Sequence, residues 1–209
     1  MFQNRFNPAI QFLFQLIRSK TLGKIRLCSV TVRWYRDDNY FKDEWHYNIK
    51  KVGGMLFNQG IHSLDLMLKI CGEPKKIQKI IKILRNFTRL EDICTANIVF
   101  KNGIIGNIEI TTYTKHKDFE ASIFIIGDKG SIKIGGPGLN RVEYLNVREN
   151  LKGKKDLYSE VINDKYGNSH QKLITAFSKY LLKNKYNVNL VSAKESKKLV
   201  EFIEKIYKK

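Results

Sequence analysis

The chain has 209 residues, with 38 Lys and Arg against 20 Asp and Glu, a formal net charge of +18, and 43% hydrophobic and 11% aromatic residues. That length can bury one sizeable core, and no run approaches the roughly 18 uncharged apolar residues of a membrane-spanning helix, so no membrane partner is expected. Cys28, Cys71 and Cys94 lie far apart with no CxxC pair, which reads as reduced thiols of a cytoplasmic protein and excludes a disulfide frame or a zinc ribbon.

The positive charge is made of 29 Lys and only 9 Arg, spread along the chain. Phosphate and base recognition favours the forked guanidinium, and no zinc-finger, RNP or basic-zipper pattern accompanies the lysines. Nucleic acid is therefore not expected as a partner, and a solvated lysine-rich surface is the simpler reading. Such a surface still attracts anionic substrates, nucleotide sugars among them.

In chain order, Pro8 to Lys20 predicts a helix, with Asn7 as N-cap, Pro8 at the first position and a broad face of Ile10, Phe12, Leu13, Phe14, Leu16 and Ile17. Gly23 follows where a left-handed residue is expected to close it. Lys24 to Tyr35 alternates as a strand covered on both faces. Asp37 to Gly54 is polar, aromatic and turn-rich, and reads as a loop. Gly60 to Ile70 has helical spacing, stopped by Gly72 and Pro74. Six strands follow, at Ile77–Arg89, Ile93–Phe100, Ile104–Thr114, Phe119–Ile126, Ser131–Ile134 and Val142–Val147. Lys101-Asn102-Gly103 and Gly127 to Gly130 are turns between neighbours. Lys152 to Asn168 looks irregular, and helices near Ser169–Lys183 and Ser192–Tyr207 close the chain. Strands joined by hairpins after a helix predict an α+β fold with a mostly antiparallel, open-faced sheet and helices on one face.

The densest group of chemistry-bearing residues runs from Gly53 to Asp65. Two adjacent glycines permit close backbone approach or positive φ. They lead into a helix whose first turn carries His62, with Asp65 three residues on. A histidine at a helix start is placed for acid–base work. Taken alone, the same pattern reads more readily as a glycine turn before a core helix with a satisfied buried histidine. The paired acids Asp37-Asp38, Asp43-Glu44 and Glu91-Asp92 read as solvated, and His46 and His116 as exposed. Trp34, Tyr35, Tyr40 and Trp45 could pack on a sugar, at a subunit contact or in the core. No His, Cys, Asp or Glu group has metal-ligand spacing.

Gly53, Gly54, Leu56, Gly60, His62, Asp65 and Gly72, with Glu73-Pro74 after them, resemble a signature of the Gfo/Idh/MocA oxidoreductases, which reads GGGxLxxxGxHxxDxxxxLxG. Val52 stands in the first glycine's place. Arg33-Trp34-Tyr35-Arg36, Trp45 and the run from Tyr166 to His170 are similar to members acting on UDP-linked amino sugars or their uronic acids. Arg5 to Pro8 looks like the end of a cofactor domain. The resemblance implies a segment 1–22 left from that domain and a C-terminal α+β domain over 23–209. It implies NAD or NADP as cofactor, a sugar or nucleotide sugar as substrate, and subunit contacts through the open sheet face. In such enzymes a histidine at the place of His62 moves the hydroxyl proton or orients the substrate for it, giving His62 the catalytic role, with a lysine absent from this chain as the alternative for the larger share. Asn58, where Asp is common, Asp65, Arg33, Arg36, Trp45 and His170 are the implied substrate contacts.

The chain has no GxGxxG and no Glu-Lys-Pro, the motifs of the family's dinucleotide-binding half. Gly135-Gly136-Pro137-Gly138 opens no amphipathic helix and reads as a turn. A truncated or split enzyme, inactive alone and completed by a cofactor-domain-bearing partner chain or working as a homo-oligomer, is the first expectation. A non-catalytic sugar-binding or oligomerisation subunit is the second. A polyanion-binding basic module, supported by charge alone, is the third.

Overall fold

The computed structural model describes residues 2–148, 151, 154–162 and 167–208. In chain order these form a 3-10 turn at Gln3–Phe6, α1 Pro8–Arg18, β1 Ile25–Arg33, a 3-10 turn at Asp38–Phe41, α2 Glu44–Tyr47 and α3 Ile49–Val52. A π-helical turn at Leu56–Gly60 runs into α4 Ile61–Cys71. Then come β2 Pro74–Lys82, β3 Ile93–Phe100, β4 Ile105–Thr111, β5 Glu120–Gly127, β6 Gly130–Gly135, β7 Arg141–Val147, α5 Lys154–Leu157, α6 Ser169–Lys183 and α7 Ala193–Tyr207. The fold is α+β with an open, mostly antiparallel sheet, as the hairpin pattern predicts; β1 and β4 form the parallel pair. Two compact units result, Met1–Arg26 with Ser122–Lys198, and Leu27–Ala121 with Leu199–Lys209.

In the first unit β5, β6 and β7 form an antiparallel meander. Helix α1 begins at Pro8 as expected, yet Asn7 does not cap it. The Asn7 amide is buried and donates to the carbonyls of Gly138 (2.5 Å) and Leu139 (3.3 Å), while its oxygen accepts from the Ser169 hydroxyl. Distant partners thus outcompete the local cap. The left-handed residue that ends α1 is Lys20 (φ 58°), not Gly23, because Thr21 N–H reaches back to the Leu16 carbonyl (3.1 Å). Gly23 (φ 72°) makes the next turn. The α1 face is fully used: Phe12, Leu13 and Phe14 are 2%, 0% and 6% exposed, and Phe12 stacks on Tyr158 at 4.4 Å. Helix α6 packs Leu173 and Ala176 on Phe6 and Leu190, and leaves Ile174, Phe177 and Leu181 outside.

In the second unit the strands run β2-β3-β4-β1. One face is covered: Phe100 of β3 meets Phe202 of α7 at 6.4 Å, and the start of α4 lies on Ile110 of β4. The other face is open. It carries Ile80, Val99 and Ile105, all exposed, and an Asn97–Asn107 hydrogen bond of 2.9 Å. The stretch read as a loop holds three one-turn helices. Asp37, Asp43 and Asn48 each accept a backbone N–H two or three residues ahead (2.9, 2.9 and 3.0 Å), and a single capped turn is too short to show periodicity. Strand β2 stops at Lys82, well before Arg89. There the Asp92 carboxylate takes the N–H groups of Leu84 and Arg85 (2.6 and 2.8 Å), drawing the chain out of the ladder.

Candidate functional site

The glycine–histidine segment is built in the second unit. Gly54 has φ 108°, and a Cβ there would stand 2.3 Å from the Tyr207 hydroxyl. Its glycine is needed by α7, a partner from the same chain. Tyr207 donates to the Glu91 carboxylate, and Leu56 N–H donates to both the Tyr207 oxygen (3.0 Å) and Glu91 (3.2 Å). This clamp fixes the first residue of the π-helical turn. Such turns insert one residue into a helix and re-aim the side chains that follow. Gly60 then lets the chain lie against Ile110, where a Cβ would come within 2.8 Å, and α4 starts.

Burial sets the acid–base state of the clamp. Desolvation raises the Glu91 carboxyl above its usual range, against the pull of the Tyr207 hydroxyl, and burial beside Glu91 raises the Tyr207 phenol. Glu91 and Asp92, read as solvated, are 4% and 1% exposed. Neighbours on extended backbone point to opposite sides, and here both sides are covered: Glu91 faces Tyr207, and Asp92 pairs with Arg85. The thiols are inert. Cys94 is pushed up to about 12 by burial, and Cys28 is raised by its hydrogen bond with Cys71 and by burial.

His62 occupies the first turn of α4, half-buried, with Nδ1 shielded from solvent. Asn58 lies one turn earlier, half-buried, and donates its amide to the Tyr40 hydroxyl (2.8 Å). Gln59 donates to the same oxygen (2.7 Å) and accepts from Arg36 (2.8 Å), which also pairs with Asp118 (3.0 Å). The Arg36 guanidinium lies 5.3 Å from the Tyr40 ring centroid. Trp45, half exposed, reaches the group through His46, whose ring is 4.9 Å from Trp45 and 4.2 Å from Tyr40. Asp43 orients His46 through Nδ1, which lowers the Asp43 carboxyl. His46 is thus packed and only partly exposed; His116 is exposed.

Asp65 sits three residues beyond His62 on the packed side of α4, 3% exposed. Arg33 is held by its own protein, forked onto Glu109 (2.6 and 2.7 Å) and bonded to Glu120 (2.7 Å), and the Glu109 bond raises its pKa. His170 is exposed near the start of α6, in the other unit, and Tyr166 lies outside the described residues. The structure therefore brings together Asn58, Arg36, Trp45 and the π-helical turn that leads into His62. It adds Tyr40, Gln59 and His46 to them. Gln59 had one available signal, its place beside Asn58; Glu91 and Tyr207 had none, being 35 and 151 residues from Leu56.

No three His, Cys, Asp or Glu among the described residues stand together as a metal site. A dinucleotide does not fit the one glycine-rich run. Gly135 and Gly136 make room for the side chains of Glu143 and Asn140, which a Cβ would meet at 2.2 and 2.6 Å, and β7 follows rather than a helix.

An open-sheet α+β module with a polar cluster around a glycine–π-turn–histidine segment is the class that fold and site define. The chain belongs to the Gfo/Idh/MocA family: residues 10–133 match the GFO/IDH/MocA C-terminal domain. It is 25% identical over 188 residues to dehydrogenase FPY6 of Fusarium mangiferae, covering 86% of this chain and 51% of that protein. Among solved structures, the WlbA dehydrogenase from Bordetella pertussis, in complex with NADH and UDP-GlcNAcA, superposes with a TM-score of 0.88 at 24% identity, covering 99% of this chain and 60% of that one. The WlbA dehydrogenase from Chromobacterium violaceum, in complex with the same two molecules, gives 0.86 at 25% identity, covering 99% and 58%. The chain thus spans about half the length of the curated relative it matches and about 60% of these structures.

Proposed function

We propose that this chain is the substrate-binding and subunit-contact half of an NAD(P)-dependent oxidoreductase acting on a sugar or nucleotide sugar, with UDP-GlcNAcA the first ligand to try. The observation that carries the reading is the continuous stretch from the Gly53-Gly54 turn through the π-helical turn to His62, clamped from below by Glu91 and Tyr207. The relatives in complex with NADH and UDP-GlcNAcA support the ligand class. On this reading His62 moves the substrate hydroxyl proton. Asn58, which cannot act as a base, positions the sugar beside it together with Arg36 and Trp45. Arg33, His170 and the buried Asp65 are the outlying members of this set. The nicotinamide belongs to a cofactor-binding half to which residues 1–22 are the sequence link, residues 23–209 being the substrate domain. The open face of β2-β3-β4-β1 is the surface for a second copy.

The test supplies a cofactor-binding half. The 209-residue chain is mixed with a cofactor-binding domain of the family, NAD and UDP-GlcNAcA, and nicotinamide reduction is followed. The wild type turns over, and His62→Ala falls by about 10²–10⁴-fold, the usual loss of an acid–base group, with its fold retained. Absence of saturable UDP-sugar binding by the wild-type chain overturns the reading, and so does robust reduction of NAD by the pure chain with UDP-GlcNAcA.

A further inference from the structure

Tyr40 is engaged in a way its sequence position does not show. A phenol oxygen has two lone pairs and one proton. Here both acceptor directions are taken, by the Asn58 amide (2.8 Å) and the Gln59 amide (2.7 Å). The direction of the Gln59 bond is fixed by chemistry. Arg36, 2.8 Å from the other end of Gln59, can only donate, so the Gln59 oxygen must face Arg36 and its NH2 must face Tyr40. The chain Arg36 to Gln59 to Tyr40 starts at a fixed positive charge, and each bond polarises the next, making the Tyr40 O–H a stronger donor. No described residue accepts that proton. Asn58, having given its amide to Tyr40, presents an Oδ1 that receives no hydrogen bond from a described residue. Both side chains are half-buried, within reach of a ligand, and Asn58 lies one turn before His62.

From this juxtaposition we propose that Tyr40 and Asn58 form a donor–acceptor pair that binds the hydroxyl groups of the sugar, and that Tyr40 is a specificity-determining residue. A hydroxyl both gives and takes a hydrogen bond, so one hydroxyl or two vicinal ones satisfy both arms; a carboxylate only accepts and leaves Asn58 without a donor. Arg36 and Gln59 act through Tyr40 as positioning residues. The inference rests on the sugar-binding reading above and deepens it, since a site made to bond a hydroxyl discriminates strongly against the analogue that lacks it.

The experiment is a calorimetric titration of the wild type, Tyr40→Phe and Asn58→Ala with UDP-GlcNAcA and with analogues each missing one ring hydroxyl. The wild type is expected to bind the parent at least tenfold more tightly than one of the analogues. Tyr40→Phe should bind the parent about tenfold more weakly and lose that discrimination, and Asn58→Ala should lose it too. A tenfold loss corresponds to about 1.4 kcal/mol. Wild-type binding with unchanged affinity and discrimination in both variants overturns this proposal and leaves the sugar reading standing. No binding of any UDP-sugar by the wild type overturns the sugar reading and this proposal with it. Should Tyr40→Phe fail to fold, the wild-type preference among the analogues and its loss in Asn58→Ala decide the matter alone.

Discussion

The Glu91 carboxyl stands inside the protein with the Tyr207 hydroxyl and the Leu56 N–H as its partners. Burial raises its pKa above the ordinary 4.5, and the sign of the pH effect follows. Below 4.5 both folded and unfolded chains hold the proton, and the contribution of the protonated clamp is complete. Between 4.5 and the raised value the unfolded chain has released the proton while the folded chain keeps it, so stability falls as pH rises through that window. Asp43 and Glu195 are shifted the other way, Glu195 by Ser192 and Arg5, and their contributions are lost as pH falls. Urea unfolding across this range should therefore show a decline with rising pH that Glu91→Gln flattens, while the acid-side loss remains. Equal slopes in the two proteins would mean that Glu91 titrates normally. At this scale the sequence was only partly legible. The motif from Gly53 to Gly72 marked the segment, but the clamp that shapes it is made from residues at 91 and 207, which no spacing rule connects to Leu56.

Elements were legible where their period is long. Helix α1, β3 and α6 fall where apolar spacing puts them, because burial of one face repeats over three or more turns or several residue pairs. The one-turn helices after Asp37 escaped because a cap fixes them, and β2 ended early because Asp92 intercepts its backbone. Burial separated the helices in a way that spacing could not. The α1 face of Phe12, Leu13 and Phe14 is covered. The exposed apolar stripe is on α6 instead, where Ile174 is 56%, Phe177 48% and Leu181 65% exposed. Removing it should cost little: Phe177→Ser with Leu181→Glu should lower concentration-dependent light scattering and shift unfolding by no more than about 1 kcal/mol. Phe12→Ala should cost about 3–5 kcal/mol by opening a cavity. A large stability loss in the α6 double variant would show that the stripe is already part of the core.

For the whole molecule, charge and hydrogen bonding make opposite demands on salt. A net charge of +18 on dispersed lysines draws any polyanion, but through released counterions rather than a shaped site. Nonspecific binding of this kind falls by about 10³–10⁵ between 50 and 200 mM salt if six to ten phosphates are contacted. The proposed sugar contacts at Tyr40 and Asn58 are neutral, and only the charged groups of the ligand, its diphosphate and its carboxylate, would respond to the surface lysines. Its attraction is already screened beyond about 8 Å at physiological ionic strength. Titrations in rising salt should thus separate the readings. Duplex DNA binding should collapse by at least about a thousandfold over that interval, while UDP-GlcNAcA binding weakens by less than about tenfold. DNA affinity that survives at 200 mM salt with a preference for one sequence or for single strands would restore the polyanion module as the better account. A sugar affinity that falls as steeply as the DNA affinity would assign it to the lysine surface, and the donor–acceptor pair would lose its part in binding.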